Sequence, residues 1–165
     1  MTNAWARKQK GFTIVELLVV VVVIGILAAI TVVAYSNVQQ RSRDADRKAD
    51  IATIKKMLLL YQADNGGVQG TPTYGGTGPG GWDSSDRGAW LGFLGTGYGR
   101  IPRDPTNIPP VSPADAGSGT GLVYFYYCYN AGAGPQPATP HVVLGYRSEV
   151  AGASIRDTFT VERCI

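Results

Sequence analysis

The chain has 165 residues, of which 44% are hydrophobic, and a formal charge of +3 at pH 7. Residues 1–11 hold three of the fifteen Lys and Arg residues and none of the twelve Asp and Glu residues, so the remainder of the chain is electrically neutral. This balance excludes a general positive charge as the basis for binding nucleic acid or anionic lipid. The length fits one domain with an anchoring segment.

An apolar run dominates the first part of the chain. Residues 17–34 contain no charged residue and a single hydroxyl group, that of Thr31. A run of about 18 or more such residues predicts a helix that crosses a bilayer. Glu16 stands at its start, and three cations precede it: Arg7, Lys8 and Lys10. Positive charge before a span predicts a cytoplasmic N-terminus, with the rest of the chain outside.

The helical pattern continues beyond the apolar run. No proline or turn cluster occurs before Asn65-Gly66-Gly67, which supplies a helix stop, so we predict one helix of about 50 residues. The alternative is an ordinary secretory signal, cleaved after a small residue such as Ala34. The length of the run and its continuation into a second helical pattern argue against that alternative.

The outer part of this helix has an amphipathic pattern. Spacings of three and four predict one apolar stripe, with charged residues such as Arg47 on the remaining surface. The stripe comprises Ala45, Ala49, Ile51, Ala52, Ile54, Leu58 and Tyr61. Because such a stripe must be buried, we expect a later part of the chain to cover it.

Residues 66–120 are rich in glycine and proline and predict an ordered surface loop, with a short helical turn at 89–94. Strand-forming residues then concentrate at 121–130, 141–149 and 158–161, which predicts a small antiparallel sheet. One face of that sheet can cover the helix stripe. The predicted fold class is therefore α+β, with a long N-terminal helix packed on a C-terminal sheet.

Cys128 and Cys164 fit no metal-binding spacing. If the C-terminal half faces the outside, a disulfide between them is expected. His141 is the only histidine and no nucleophile-elbow pattern occurs, so we predict a hydrogen-bonded histidine at a strand edge and no catalytic residue.

Two weaker patterns deserve mention as alternatives. Calcium could bind a set of turn residues whose spacing is not that of an EF-hand loop: Asp83, Asp86, Asp104 and Asn107. Aromatic and cationic residues of the loop could bind DNA or a host surface: Trp82, Trp90, Tyr98, Arg100 and Arg103. Solvated turns and core anchoring explain these patterns more simply, so we predict no resident metal or cofactor.

The sequence Gly11-Phe12-Thr13-Ile14-Val15-Glu16, followed by the apolar helix, resembles the type IV pilin and pseudopilin family. The basic leader, the Gly-Phe junction, the acid five residues beyond it and Gly25 all match over residues 7–35. The order of long helix, variable loop and C-terminal sheet matches as well. One difference is that many type IV pilins have a proline late in the membrane helix, where this chain has Val33.

This resemblance implies a layout and a maturation pathway. The expected parts are a leader (1–11), a membrane and filament-core helix (12–34), an amphipathic helix (35–65), a variable loop (66–120) and a sheet with a disulfide loop closed by Cys128 and Cys164 (121–165). A prepilin peptidase would cut between Gly11 and Phe12 and methylate the new amine of Phe12. Subunits would then leave the inner membrane, where each is a single-pass protein, and an assembly ATPase and a platform protein would drive them into a helical filament.

The implied function is that of a structural subunit of a type IV pilus-like extracellular filament, serving adhesion, motility or DNA uptake. The alternatives are a pseudopilin of a type II secretion or competence system, in a short periplasmic fibre, and a membrane-tethered binding domain that never polymerises. For Glu16 we predict a role in assembly, because a carboxylate inside hydrocarbon needs a partner. The new α-amine of a neighbouring Phe12 supplies one and would fix the axial register.

Overall fold

The computed structural model describes residues 11–70, 82–109, 121–130 and 138–165. It contains one α-helix, α1 (Ile14–Asn65), and the strands β1 (Asp83–Ser84), β2 (Tyr124–Tyr129), β3 (His141–Arg147) and β4 (Ser154–Thr160). These elements confirm the predicted α+β class. By contacts the chain divides into two units, Met1–Gln39 and Gln40–Ile165.

The first unit is helical from Ile14 onward, and its side chains have no cover. Every side chain whose exposure is described between residues 11 and 39 is exposed to solvent. Among its large apolar residues, Val15 is 70% exposed, Ile24 59% and Ile30 65%. By length and composition, α1 is the one helix in the described part of the chain that could cross a membrane.

In the second unit, α1 buries Ile51, Ile54 and Leu58, and Tyr61 packs partly buried against them. This confirms the larger residues of the predicted stripe. The alanine part of the prediction was wrong, because Ala45, Ala49 and Ala52 are all exposed. The buried face instead continues toward the N-terminus through Arg47, whose side chain is completely buried.

The sheet has the order β1-β2-β3-β4, and every neighbouring pair is antiparallel. Alternate residues of its two central strands enter the same core as the helix stripe: Tyr124, Tyr126, Cys128, Val142, Leu144 and Tyr146. The three predicted strands are present, although the last begins at Ser154 and not at Thr158. The two-residue β1 was not predicted, because two residues are too short to show an alternating pattern.

The loop that contains β1 is anchored by aromatic and aliphatic residues, as predicted. Trp90, Leu91 and Leu94 are buried, and the Trp90 indole donates a hydrogen bond of 2.9 Å to the carbonyl of Pro102. A short 3₁₀ helix, Gly92–Leu94, lies where the sequence predicted a helical turn.

The end of α1 is tied to the C-terminus of the chain. Val68 exchanges backbone hydrogen bonds of 2.9 Å with the carbonyl of Arg163 and the amide of Ile165. The adjacent Cys164 forms a disulfide with Cys128 of β2, with 5.8 Å between their Cα atoms. The expected pairing of the two cysteines is thus present.

Arg47 is the centre of an ionic cluster that we define by five residues: Arg43, Asp44, Arg47, Asp104 and Glu149. The Arg47 guanidinium contacts Asp104 at 2.7 Å, Asp44 at 2.8 Å and Glu149 at 2.7 Å. Burial alone would lower the pKa of Arg47, but the three carboxylates outweigh it and raise the pKa. Because two of these carboxylates come from distant loops, the cluster fixes those loops on α1.

Candidate site at the start of the apolar helix

Thr13 and Glu16 form a reciprocal hydrogen-bonded pair at the start of α1. The Thr13 amide and hydroxyl each donate to Glu16 Oε2 at 2.8 Å, and the Glu16 amide donates to Thr13 Oγ1 at 3.2 Å. Since α1 begins at Ile14, Thr13 is the N-cap and Glu16 is the third residue of the helix. This is the capping-box arrangement, which satisfies backbone amides that a helix start leaves without partners.

The capping box orients the carboxylate that the sequence had singled out. Both hydrogen bonds from Thr13 go to Oε2, and no bond to Oε1 is found among the described residues. The positive end of the helix dipole also favours a negative charge at this position. Glu16 is therefore held at the helix start and remains exposed, with one oxygen open to a partner.

The surface around Glu16 is apolar. Phe12, Val15, Leu17, Val19 and Val20 line a shallow depression together with Glu16. Phe12 is 86% exposed. A surface of this kind needs lipid or another apolar surface to cover it, because the described part of the chain provides nothing that does.

Farther along α1, the single hydroxyl of the apolar run is already satisfied. The Thr31 hydroxyl donates a 2.6 Å hydrogen bond to the carbonyl of Leu27 in the preceding turn. Gly25 has open space where a Cβ would stand, so no contact within the described chain requires a glycine there. Thr31 and Gly25 thus leave the apolar surface of the helix uninterrupted.

Comparison with known proteins agrees with this reading of the helix start. Residues 6–32 match the family described as "Prokaryotic N-terminal methylation motif". The chain is 41% identical over 59 residues to the type II secretion system core protein G of Pseudomonas aeruginosa, a match over 36% of this chain and 42% of that protein. It is 38% identical over 61 residues to the protein of the same name from Escherichia coli, over 35% of this chain and 40% of that protein.

The first part of the chain is thus similar to proteins of the type IV pilin and pseudopilin family. The matches cover only part of it, and it spans about two fifths of the length of the curated relatives. No solved structure matches it significantly. The prepilin motif and the apolar helix fit a single-pass inner-membrane protein.

The carboxylates that the sequence suggested as calcium ligands have separate local partners. Asp83 accepts from the amides of Ser84 and Leu91, and Asp104 is bound to Arg47. No group of three or more metal-binding side chains occurs among the described residues. The carboxylates considered for calcium are therefore used locally and are not gathered into one cage.

The aromatic and cationic residues of the loop do not form one surface either. Trp90 is buried in the core, whereas Trp82 packs on the other face of the sheet against Phe125. Arg103 donates to the backbone carbonyls of Ser85 and Arg87. These contacts give Trp90 and Arg103 structural roles.

His141 opens β3 and is buried. Its Nδ1 lies 3.0 Å from the carbonyl of Thr139, and its ring stacks on Tyr129 at 5.0 Å. Its Nε2 has no hydrogen-bond partner in the described structure. His141 thus lies at the end of a strand, as predicted, but only one of its two ring nitrogens has a hydrogen-bond partner in the described structure.

Sequence reasoning missed the capping box, although its signature was present. Thr13-Ile14-Val15-Glu16 has the hydroxyl and carboxylate spacing that the motif requires, directly before an apolar run. Glu16 was interpreted through the family resemblance and the cost of a buried charge. The structure adds a local role that operates within a single chain.

Proposed function

We propose that this protein is a structural subunit of a type IV pilus-like filament, assembled through the first part of α1. The observation that carries the proposal is an apolar helix that its own described chain leaves uncovered, with one carboxylate at its start. In the membrane, lipid covers this surface. In a filament, the same surface of neighbouring subunits would replace lipid, so one helix serves both states.

The proposed maturation follows from the Gly11-Phe12 junction. A prepilin peptidase cuts between these residues and methylates the amine of Phe12, and an assembly ATPase and a platform protein then drive polymerisation. The anchored subunit is a single-pass inner-membrane protein, and the filament lies outside that membrane. The family motif over residues 6–32 supports this sequence of events.

Glu16 supplies the register in this proposal. A charged residue at the centre of a bilayer costs about 2.5–3.5 kcal/mol on insertion scales, and less near the end of the span. Among the helices of a filament that charge would need a partner. The Phe12 amine of an incoming subunit is a cation of suitable pKa, and Glu16 Oε1 is the oxygen that the capping box leaves for it.

Two substitutions separate the charge of Glu16 from its capping role. Glu16→Gln keeps a side chain that can complete the capping box but removes the charge. Glu16→Ala removes both. We expect both variants to be inserted and cleaved, and both to yield at least about tenfold fewer filaments in electron micrographs of sheared material. Asp46→Asn, which neutralises an exposed acid elsewhere on α1, is the control and should assemble normally.

Mass spectrometry of the N-terminal peptide accompanies these measurements. A peptide that begins at methylated Phe12 supports the filament family, and one that begins at Met1 supports the tethered binding domain. Normal filaments from Glu16→Gln would refute the charge pairing and leave the capping box as the role of Glu16.

A pseudopilin of a secretion system is the second candidate. It is favoured by the similarity of the first part of the chain to type II secretion core proteins of several bacteria. A pseudopilin would form short periplasmic fibres. Filament length separates the two candidates: long fibres in sheared surface material support a pilus, and loss of protein secretion in a deletion strain without such fibres supports a pseudopilus.

A further inference from the structure

The sheet has a second face, opposite the one that packs on α1. Strand residues alternate between the two faces, and the register of β2, β3 and β4 identifies those that project away from the helix. We call this the outer sheet face. It includes Phe125, Tyr127, Tyr129, His141, Arg147 and Arg156.

Aromatic rings form a continuous array on the outer sheet face. Trp82 contacts Phe125 with ring centroids 5.6 Å apart and Tyr127 at 5.1 Å. Tyr127 lies 4.2 Å from Tyr129, which stacks on His141 at 5.0 Å. Trp82, Tyr127 and Tyr129 are partly exposed. Along β2 the array extends about 13 Å, the length of four strand residues.

The formal charges that the described strands place on this face are positive. Arg147 and Arg156 project from β3 and β4, and Arg147 donates to the carbonyl of Gly152. Burial raises the pKa of the Tyr129 phenol, and the charge of Arg156 opposes that rise. Arg156 pairs with Gly145, which in turn pairs with Phe125, so its charge lies on the same face as the rings.

The acids of the same strands lie on the other face. Asp157 of β4 pairs with Lys55 of α1 at 2.9 Å. Asp83 of β1 is buried and accepts from the amide of Leu91 at 2.9 Å. The described strands thus separate their charges, with carboxylates toward the helix and arginines on the outer sheet face, Arg156 across Gly145 from Phe125 and Arg147 at the end of β3.

We propose that the outer sheet face binds single-stranded nucleic acid, with bases stacked on Tyr127 and Tyr129 and phosphates contacted by Arg147 and Arg156. Rings with interspersed cations on an open sheet are the surface that unpaired bases and their backbone recognise. A duplex hides its base faces, and a neutral polysaccharide carries no negative charge to pair with the arginines. The array is long enough for about two or three nucleotides.

This inference names a ligand for the proposed filament subunit, but binding does not require assembly. A filament would repeat the site many times and raise the overall affinity without new contacts. A single subunit would bind weakly. The neutral charge of the chain without residues 1–11 is no obstacle, because the positive charge is concentrated locally.

The test uses the full chain in neutral detergent micelles and a fluorescently labelled twelve-residue oligothymidylate, followed by anisotropy. We expect saturable binding that Tyr127→Ala/Tyr129→Ala weakens about tenfold or more, while Tyr127→Phe/Tyr129→Phe, which keeps the rings, stays within about threefold. Arg147→Gln/Arg156→Gln should weaken binding and reduce the slope of log affinity against log salt by about 1.4, the value for two phosphate contacts on a single strand.

The matched control is Arg41→Gln/Lys56→Gln, which removes the same charge from exposed positions of α1 and should leave affinity within about twofold. The proposal would be overturned if Arg147→Gln/Arg156→Gln and the control lost affinity equally. It would also be overturned if the unaltered chain showed no saturable binding. Binding of a sulfated polysaccharide with the same dependence on the rings, in the absence of oligothymidylate binding, would also overturn it.

Circular dichroism and the unfolding midpoint check that each variant is folded. If Tyr127→Ala/Tyr129→Ala does not fold, Tyr127→Phe/Tyr129→Phe and the arginine variant still test the proposal. Glu16→Ala should bind the oligothymidylate as the unaltered chain does. A chain that binds but never forms filaments would therefore contradict the proposed function alone.

Discussion

Arg47 is a completely buried cation on a helix face that is otherwise apolar. It is stable there because its guanidinium forms ion pairs with three carboxylates, those of Asp44, Asp104 and Glu149. Removing one partner of such a group is costly, since the other is left buried and charged. Replacing both partners of the ion pair with uncharged residues is much less costly. This asymmetry gives a sharp test at the scale of one residue.

Arg47→Met should lower the free energy of unfolding by about 3–5 kcal/mol, because Asp104 is then buried without a cation. Urea unfolding of the chain in detergent, followed by the fluorescence of buried Trp90, measures the loss. Arg47→Met/Asp104→Asn should recover a substantial part of it. Arg41→Met, at an exposed position, should stay within about 0.5 kcal/mol. A loss below about 1 kcal/mol for Arg47→Met would contradict the role given to the cluster.

Two carboxylates of the same cluster make stability depend on pH. A hydrogen bond from Arg43 lowers the pKa of Glu149. Burial raises the pKa of Asp44, but hydrogen bonds from Ser148, the amides of Glu149 and Val150, and Arg47 outweigh it and lower the pKa. Both groups therefore bind protons more weakly in the folded chain than in the unfolded one, so their stabilisation is present above the unfolded pKa and lost below it.

We expect the free energy of unfolding to fall as the pH drops through about 4.3, the ordinary value for glutamate, and to change little between about pH 5 and 7 from these two groups. Urea titrations across that range measure the effect. Glu149→Gln should be less stable at pH 7 and should show a shallower acid slope. An unchanged slope in that variant would mean that Glu149 does not contribute to the acid dependence.

At the scale of elements, the sequence predicted those whose pattern is repeated. The helix and the larger residues of its stripe, Ile51, Ile54 and Leu58, follow a period that several turns reinforce. β1 has two residues and no period, and it exists because Asp83 and Ser84 pair with Tyr126 and Phe125 of a strand 40 or so residues later. Local patterns contain no information on such partners.

Gly145 is another feature that only the partners of a strand reveal. A Cβ there would stand 2.5 Å from Cζ of the Phe125 ring and against the carbonyl oxygen of Ile155. The Phe125 ring therefore lies across Gly145, and this contact together with that of Trp82 buries a phenylalanine on the outer sheet face.

Gly145→Ala should cost about 1–3 kcal/mol, because backbone and ring must both move to admit the methyl group. Thermal unfolding in detergent measures it. Gly97→Ala is the matched control, since nothing lies within 4 Å of a Cβ at that position, and its unfolding free energy should change by no more than about 0.5 kcal/mol. Equal effects of the two substitutions would show that the Phe125 contact is not what excludes a side chain at Gly145.

At the scale of the whole molecule, the sequence predicted which part requires an external cover and which part folds on itself. The motif around Gly11 and Glu16 and the uninterrupted apolar run could be interpreted residue by residue. The ionic cluster could not, because Arg43 and Glu149 are 106 positions apart and neither has a distinctive local pattern. The capping box was local and was missed only because Glu16 was considered without Thr13.

The second unit should therefore fold without the first. All buried residues of the described structure lie after residue 40, whereas every side chain whose exposure is described before that point is exposed. A chain that begins at residue 40 should be soluble without detergent and should melt within about 3 °C of the full chain.

A chain that begins at residue 49 lacks Arg43, Asp44 and Arg47, so Asp104 and Glu149 lose their cations. It should melt at least about 10 °C lower or fail to fold. Differential scanning calorimetry of both fragments decides the matter: similar melting of the two would remove the ionic cluster as a support of the fold, and failure of the longer fragment would show that the first unit is needed for folding as well as for assembly.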